Sequence, residues 1–320
     1  MAPLSFSGQT RSKVEVSMFR SNLGLNILLA IDRPGHVEAV TDLMAHIFWP
    51  LETVVHILTF VPDRLPELDP APKKEQVDEA LALKRWRHWA EAKLIGTKIA
   101  TKLRKHRLTV KTEICDGQLP EVMLERCADL PIDIITVDPA KFKLLAQFRQ
   151  KAPFSRAVDQ AVYPSVLVAR PSKQIRPLNT VVVIDDSLEA WRAVDFICAL
   201  SLPQWAKVTV VQVTQEQAMA LPAPELAAAQ AFPAYTGPVP HLPDPTMTKV
   251  IDQLHGYGVR VWSSYRFGDP VDEILTVARQ QTADLIVIGA HRQNQHQPFH
   301  LDYVTQEIIN QAPCSVLAIR

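Results

Sequence analysis

One order of segments occurs twice in this chain, and that repetition restricts its fold more than any single motif does. From Asp269 to Arg320 the sequence runs as a helix-like segment, the apolar run Leu285-Ile286-Val287-Ile288, Gly289, a polar loop, a second helix-like segment and the run Val316-Leu317-Ala318-Ile319. The same grammar spans Glu121 to Arg170. Landmarks confirm the period: Asp32 and Asp185 lie 153 positions apart, Asp133 and Asp284 151, and Arg170 and Arg320 150. Each copy opens on an apolar strand ending in acid, Ile27 to Asp32 and Val181 to Asp185. Each closes on Pro-Ser-Val-Leu-Val-Ala-Arg or its near equivalent. Helices alternating with short buried-type strands predict a parallel α/β sheet. Loops at the carboxyl ends of such strands are where ligands bind.

The 320 residues suit two domains of roughly 150 residues, placed at 22–171 and 177–320 with a short linker around Pro171 to Leu178. The formal net charge of +0 gives no global field toward nucleic acid or acidic lipid, so neither nucleic acid nor membrane is expected as a partner. The 4 cysteines, Cys115, Cys127, Cys198 and Cys314, have no metal-type spacing and read as apolar filler in a reducing compartment. The amino terminus lacks an apolar signal core, residues 1–22 read as an unordered leader, and no long uncharged apolar run occurs. The expected location is the cytoplasm.

Within the first copy, Val37 to Phe48 has helical spacing, and Val54 to Phe60 is a buried-type strand in which His56 reads as a core histidine. From about Glu75 to Arg107 the pattern predicts one long helix, with Trp86, Trp89, Ala90, Ile95 or Ile99, and Leu103 as its apolar face. The same stretch is locally basic through Lys84, Arg85, Arg87, Lys93, Lys98, Lys102, Arg104, Lys105 and Arg107. A solvated face is the expected reading, and contact with nucleic acid or anionic lipid the lesser one. In the second copy residues 220–246 form a proline-rich excursion at the place that 61–74 take in the first.

Both halves resemble the universal stress protein family in its tandem, two-domain form. The features that carry the resemblance are Asp32 and Asp185 after the first strands and the turns Gly268-Asp269-Pro270 and Gly117 to Pro120. The segments Ala283 to Gly289 and Ala312 to Leu317 add to it. The resemblance implies two tandem open parallel-sheet, Rossmann-like domains whose last strands, Val166 to Ala169 and Val316 to Ile319, meet edge to edge. A further homodimer is compatible with it.

In members of that family that bind ATP, an acid after the first strand lies near the adenosine. A loop of form Gly-x-x-Gly, nine residues, Gly-Ser/Thr wraps the phosphates, because glycines let backbone amides approach the oxygens. Here Gly289 keeps the first position, Arg292 stands at the second glycine, and Asp302 and Tyr303 stand at the final pair. The first half begins Asp138-Pro139-Ala140-Lys141 and has no glycine through Arg170. Both loops read as degenerate, although Arg292, Lys141, Lys143, Arg149 or Lys151 offer side-chain cations to a different anion. His291, His296 and His300 with Asp302 suggest zinc only weakly, since their spacing fits no metal motif. Asp185-Asp186-Ser187 has no partnered base, so no catalytic residue and no metal site is assigned.

The expected function is a non-enzymatic cytoplasmic stress-response protein that holds no cofactor and binds a small ligand or a protein partner. The candidate ligand-contacting residues are Asp32, Asp185, Gly289 and Arg292. Two alternatives stay open. One is adenine-nucleotide binding with weak or no hydrolysis; the other is a ligand-free interaction scaffold.

Overall fold

The computed structural model describes residues 24–31, 37–61, 74–117, 119–147, 164–171, 178–203, 205–214, 245–290 and 301–320, with backbone alone at residues 37 and 147 and over 74–81. The first half runs β1 (Asn26–Ile31), α1 (Val37–His46), β2 (Val54–Val61), α2 (Lys74–Arg104), β3 (Thr109–Asp116), α3 (Leu119–Asp129), β4 (Ile134–Val137), α4 (Pro139–Gln147) and β5 (Ser165–Val168). The second runs β6 (Asn179–Ile184), α5 (Leu188–Ala199), β7 (Lys207–Thr214), α6 (Pro245–Gly256), β8 (Val261–Phe267), α7 (Pro270–Gln280), β9 (Leu285–Gly289), α8 (Tyr303–Gln311) and β10 (Ser315–Ile319).

All described strands join one sheet in the order β3-β2-β1-β4-β5-β10-β9-β6-β7-β8. Every pairing within a half is parallel. The central pair, β5 with β10, is antiparallel, with Leu167 opposite Leu317 and Val168 opposite Val316. The last strands thus meet as the resemblance implied, and each removes the other's open edge.

The strands are apolar at successive positions because both faces of the sheet are covered. On one face Ile27, Leu29, Leu167, Val182, Leu317 and Ile319 pack with residues of α1, α2, α5 and α6. On the other, Leu28, Val166, Val168, Val316 and Ala318 pack with residues of α3, α4, α7 and α8. Each core runs through both halves. A second contact reinforces the seam: Trp49 meets Phe196 edge-on at 6.4 Å, and the Ser201 amide donates to the Phe48 carbonyl at 3.0 Å.

The repeat is visible bond by bond. The Asn26 amide donates to the Asp133 carboxylate at 2.7 Å, and the Asn179 amide to the Asp284 carboxylate at 3.0 Å. Across the seam the Arg170 amide donates to the Ser315 hydroxyl and the Arg320 amide to the Ser165 hydroxyl. Gly117 and Gly268 both take positive φ, at 122° and 138°, a conformation that favours glycine. Asp269 then accepts the Val271 and Asp272 amides, with Pro270 opening α7.

The long helix forms over the expected stretch, but its buried face differs from the expectation. Trp86 and Trp89 are exposed; Ala92, Ile99, Ala100 and Leu103 are buried, and Ile95 is half-buried. Spacing revealed the helix, yet the aromatic residues lie before the part that packs on β2 and β3. His56 is buried as expected, and burial, followed by the charge of Lys111, lowers its pKa.

Candidate functional site

The second half changes the direction of its strand order between β6 and β9, where ligands bind in open α/β sheets. β6 leads through α5 to β7 on one side, while β9 leads through α8 to β10 on the other. The carboxyl ends of β6 and β9 carry the residues of interest. Asp185 is exposed there, and one of its oxygens accepts the Ser187 amide at 2.8 Å. Ser187 caps α5 by accepting the Ala190 amide at 3.1 Å. Asp186 accepts the Thr246 hydroxyl at 2.6 Å, tying this turn to the start of α6.

Gly289 faces the same turn. A Cβ placed on it would lie 2.4 Å from the Glu189 carbonyl carbon and 2.5 Å from the Ala190 nitrogen. The first turn of α5 therefore rests against the end of β9, and that close approach requires glycine whether or not a ligand is present. Asp185 and Gly289 meet around α5, whereas Asp32, Arg292, His291, His296 and His300 lie outside the described residues. No group of three or more potential metal-binding side chains occurs among the described residues.

The helix that follows the loop begins at Asp302. Its carboxylate caps α8, accepting the Thr305 amide at 2.9 Å through one oxygen and the Thr305 hydroxyl at 2.7 Å through the other. Thr305 is buried, and its hydroxyl also lies 3.5 Å from the Gly289 carbonyl. A helix start attracts anions through unpaired amides and its dipole. Here the chain supplies that anion itself.

A sequence profile described as the universal stress protein family matches residues 178–320. This half of the chain matches the universal stress protein family along its length. Over the whole chain, a universal stress protein from Archaeoglobus fulgidus has a similar fold at 14% identity and a TM-score of 0.57, covering 92% of this chain and 96% of that one. A putative universal stress protein from Pseudomonas aeruginosa covers 93% of this chain and 94% of its own at 13% identity and a TM-score of 0.46. A universal stress protein solved in complex with cAMP is 20% identical over 45% of this chain and 96% of its own, with a TM-score of 0.30. No curated protein sequence matches the chain.

The matched half and the first half treat the same position differently. Asp138 stands where Gly289 stands in the repeat. Both residues of its pair with Lys141 are buried, and Asp138 also accepts the Lys141 amide at 2.9 Å, so α4 begins directly after β4. The sequence offered Lys141 as a cation for an outside anion, but the structure places its ammonium against Asp138. Sequence reasoning missed both capped helix starts. The available signals were an acid three positions before Thr305 and an acid three positions before Lys141.

Burial raises the pKa of the Cys127 and Cys314 thiols to about 12 and that of Cys198 to about 11. None of the three is poised as a thiolate nucleophile.

Proposed function

We propose that the chain is a cytoplasmic stress-response protein of two universal stress protein-type domains, 22–171 and 177–320. It acts without catalysis and binds a small ligand or a protein partner, with phosphate sites that no longer receive ATP. Asp32, Asp185, Gly289 and Arg292 border the ligand cleft in this reading. The observation that carries it is the Asp302 carboxylate on the α8 amide that a phosphate would need. A triphosphate arriving there meets a like charge and competes with a bond already made. In the first half Asp138, at the place of Gly289 rather than of Asp302, puts a carboxylate on the first turn of α4. The high thiol pKa values support the non-catalytic part, and among the described residues Asp185 accepts the Ser187 amide and is paired with no base. No described helix is long and apolar enough to cross a membrane, which is consistent with the proposed location.

Equilibrium binding of magnesium ATP to the intact chain and to the triple variant Arg292→Gly/Asp302→Gly/Tyr303→Ser tests this reading. The parent should show no saturable binding up to about 1 mM, while the variant, with its amide released and loop glycines restored, should gain it. Micromolar binding by the parent that disappears in Asp185→Ala would overturn the reading.

A further inference from the structure

The basic stretch of α2 gains a different meaning once its exposure is known. Among the described residues from Ala82 to Glu91 none is buried, and Ala92 is the first that is. Leu83, Trp86 and Leu94 are 51%, 63% and 70% exposed. With Ala90 they recur at helical spacing and form one stripe. It lies away from Ala92, Ile99, Ala100 and Leu103, which hold the helix to its domain. An exposed apolar stripe on a helix held to its domain from Ala92 onward marks a contact surface.

Charge identifies what the stripe can meet. From Lys84 to Arg107 there are nine lysines and arginines and one acid, Glu91, in a chain of net charge +0. Some of these cations are engaged internally: Arg85 with Asp116, Lys102 with Asp42, and Arg104 with the Val110 carbonyl. Arg87, Lys93, Lys98 and Lys105 are exposed. Helical geometry sets Arg87 and Lys98 along one flank of the stripe and Lys93 along the other. The Lys93 ammonium lies 5.0 Å from the Trp89 ring centre, leaving its stem along the aromatic surface.

We propose that this face of α2 is a peripheral docking surface for an anionic lipid bilayer. Leu83, Trp86 and Leu94 would enter the interfacial region, and the flanking cations would meet the lipid phosphates. Leucine and tryptophan between rows of lysine and arginine form the pattern by which a helix lies in a membrane interface. A nucleic acid would gain from the cations and tryptophans but would leave the leucines against a hydrated backbone. A groove in an acidic protein would need to enclose the helix, whereas from Ala92 onward the opposite side of α2 already belongs to the domain. A flat anionic acceptor fits both constraints. This surface is independent of the ligand cleft and does not require ATP binding there.

Vesicle flotation of the full chain provides the test. Phosphatidylcholine vesicles, with and without about 30% phosphatidylglycerol, are compared at low salt and near 0.5 M salt. The chain should float with the anionic vesicles at low salt and be released by the higher salt. Leu83→Ser/Trp86→Ser and Arg87→Glu/Lys98→Glu should each weaken partitioning about tenfold or more, without shifting the thermal unfolding midpoint, because all four side chains are exposed. Failure to float with anionic vesicles would overturn the proposal, as would undiminished flotation of both variants. Retention by random-sequence RNA or by an acidic protein without vesicle binding would assign the face to that partner instead.

Discussion

A methyl group at Gly289 would collide with the backbone of α5, at 2.4 Å from the Glu189 carbonyl carbon. Gly289→Ala should therefore destabilise the ligand-free protein by about 1–3 kcal/mol through overpacking, measured by urea unfolding. An unchanged midpoint would remove the packing reason for this glycine. The residue was legible in the sequence as the first glycine of a phosphate loop, but its contact with Glu189 and Ala190 joins distant segments and leaves no local pattern. His56 shows the reverse situation, since a histidine inside an apolar strand already predicted burial. Burial, with Lys111 second, lowers its folded pKa, so the unfolded chain takes up the proton at higher pH than the folded chain. Its contribution is full above about pH 6.5 and is lost as pH falls from there toward the folded pKa. His56→Gln should reduce the stability difference between pH 7 and pH 5, and an unaltered difference would place the acid sensitivity elsewhere.

At the level of elements, the two helix starts beside the sheet carry the strongest expectation. Removing the Asp138 carboxylate takes the charge partner from buried Lys141 and the cap from α4, so Asp138→Ala should cost about 3–5 kcal/mol. Asp138→Ala/Lys141→Met should recover much of that loss, because the buried ammonium has gone too. A double variant as unstable as the single one would contradict a pairwise role. The elements themselves were largely legible: the strands are short apolar runs, Gly268-Asp269-Pro270 marks the start of α7, and Gly117 to Pro120, with one residue more between glycine and proline, marks that of α3. The buried face of α2 was not. Trp86 and Trp89 have helical spacing, but spacing does not show where a 31-residue helix stops lying on the strands beside it. The capped starts were legible only as isolated acids, since a cap becomes meaningful when the strand end that presents it is known.

For the whole molecule, the repeat of roughly 150 residues anticipated two parallel units, and the family resemblance supplied their meeting at β5 and β10. It could not reveal that both cores continue across the seam, where Leu167 faces Leu317 and Trp49 meets Phe196. The halves should consequently unfold together, in one calorimetric transition whose van't Hoff and calorimetric enthalpies agree; two resolved transitions would show that the seam is weak. In the proposed function, the chain's own Asp302 carboxylate occupies the helix start that a phosphate would use. Native mass spectrometry of freshly purified protein, before and after addition of magnesium ATP, tests it most directly. No saturable ATP adduct should form, and any copurified mass should belong to a different ligand. An adduct saturating at one ATP per chain, and lost in Asp185→Ala, would show that the crevice between β6 and β9 accepts a triphosphate despite Asp302.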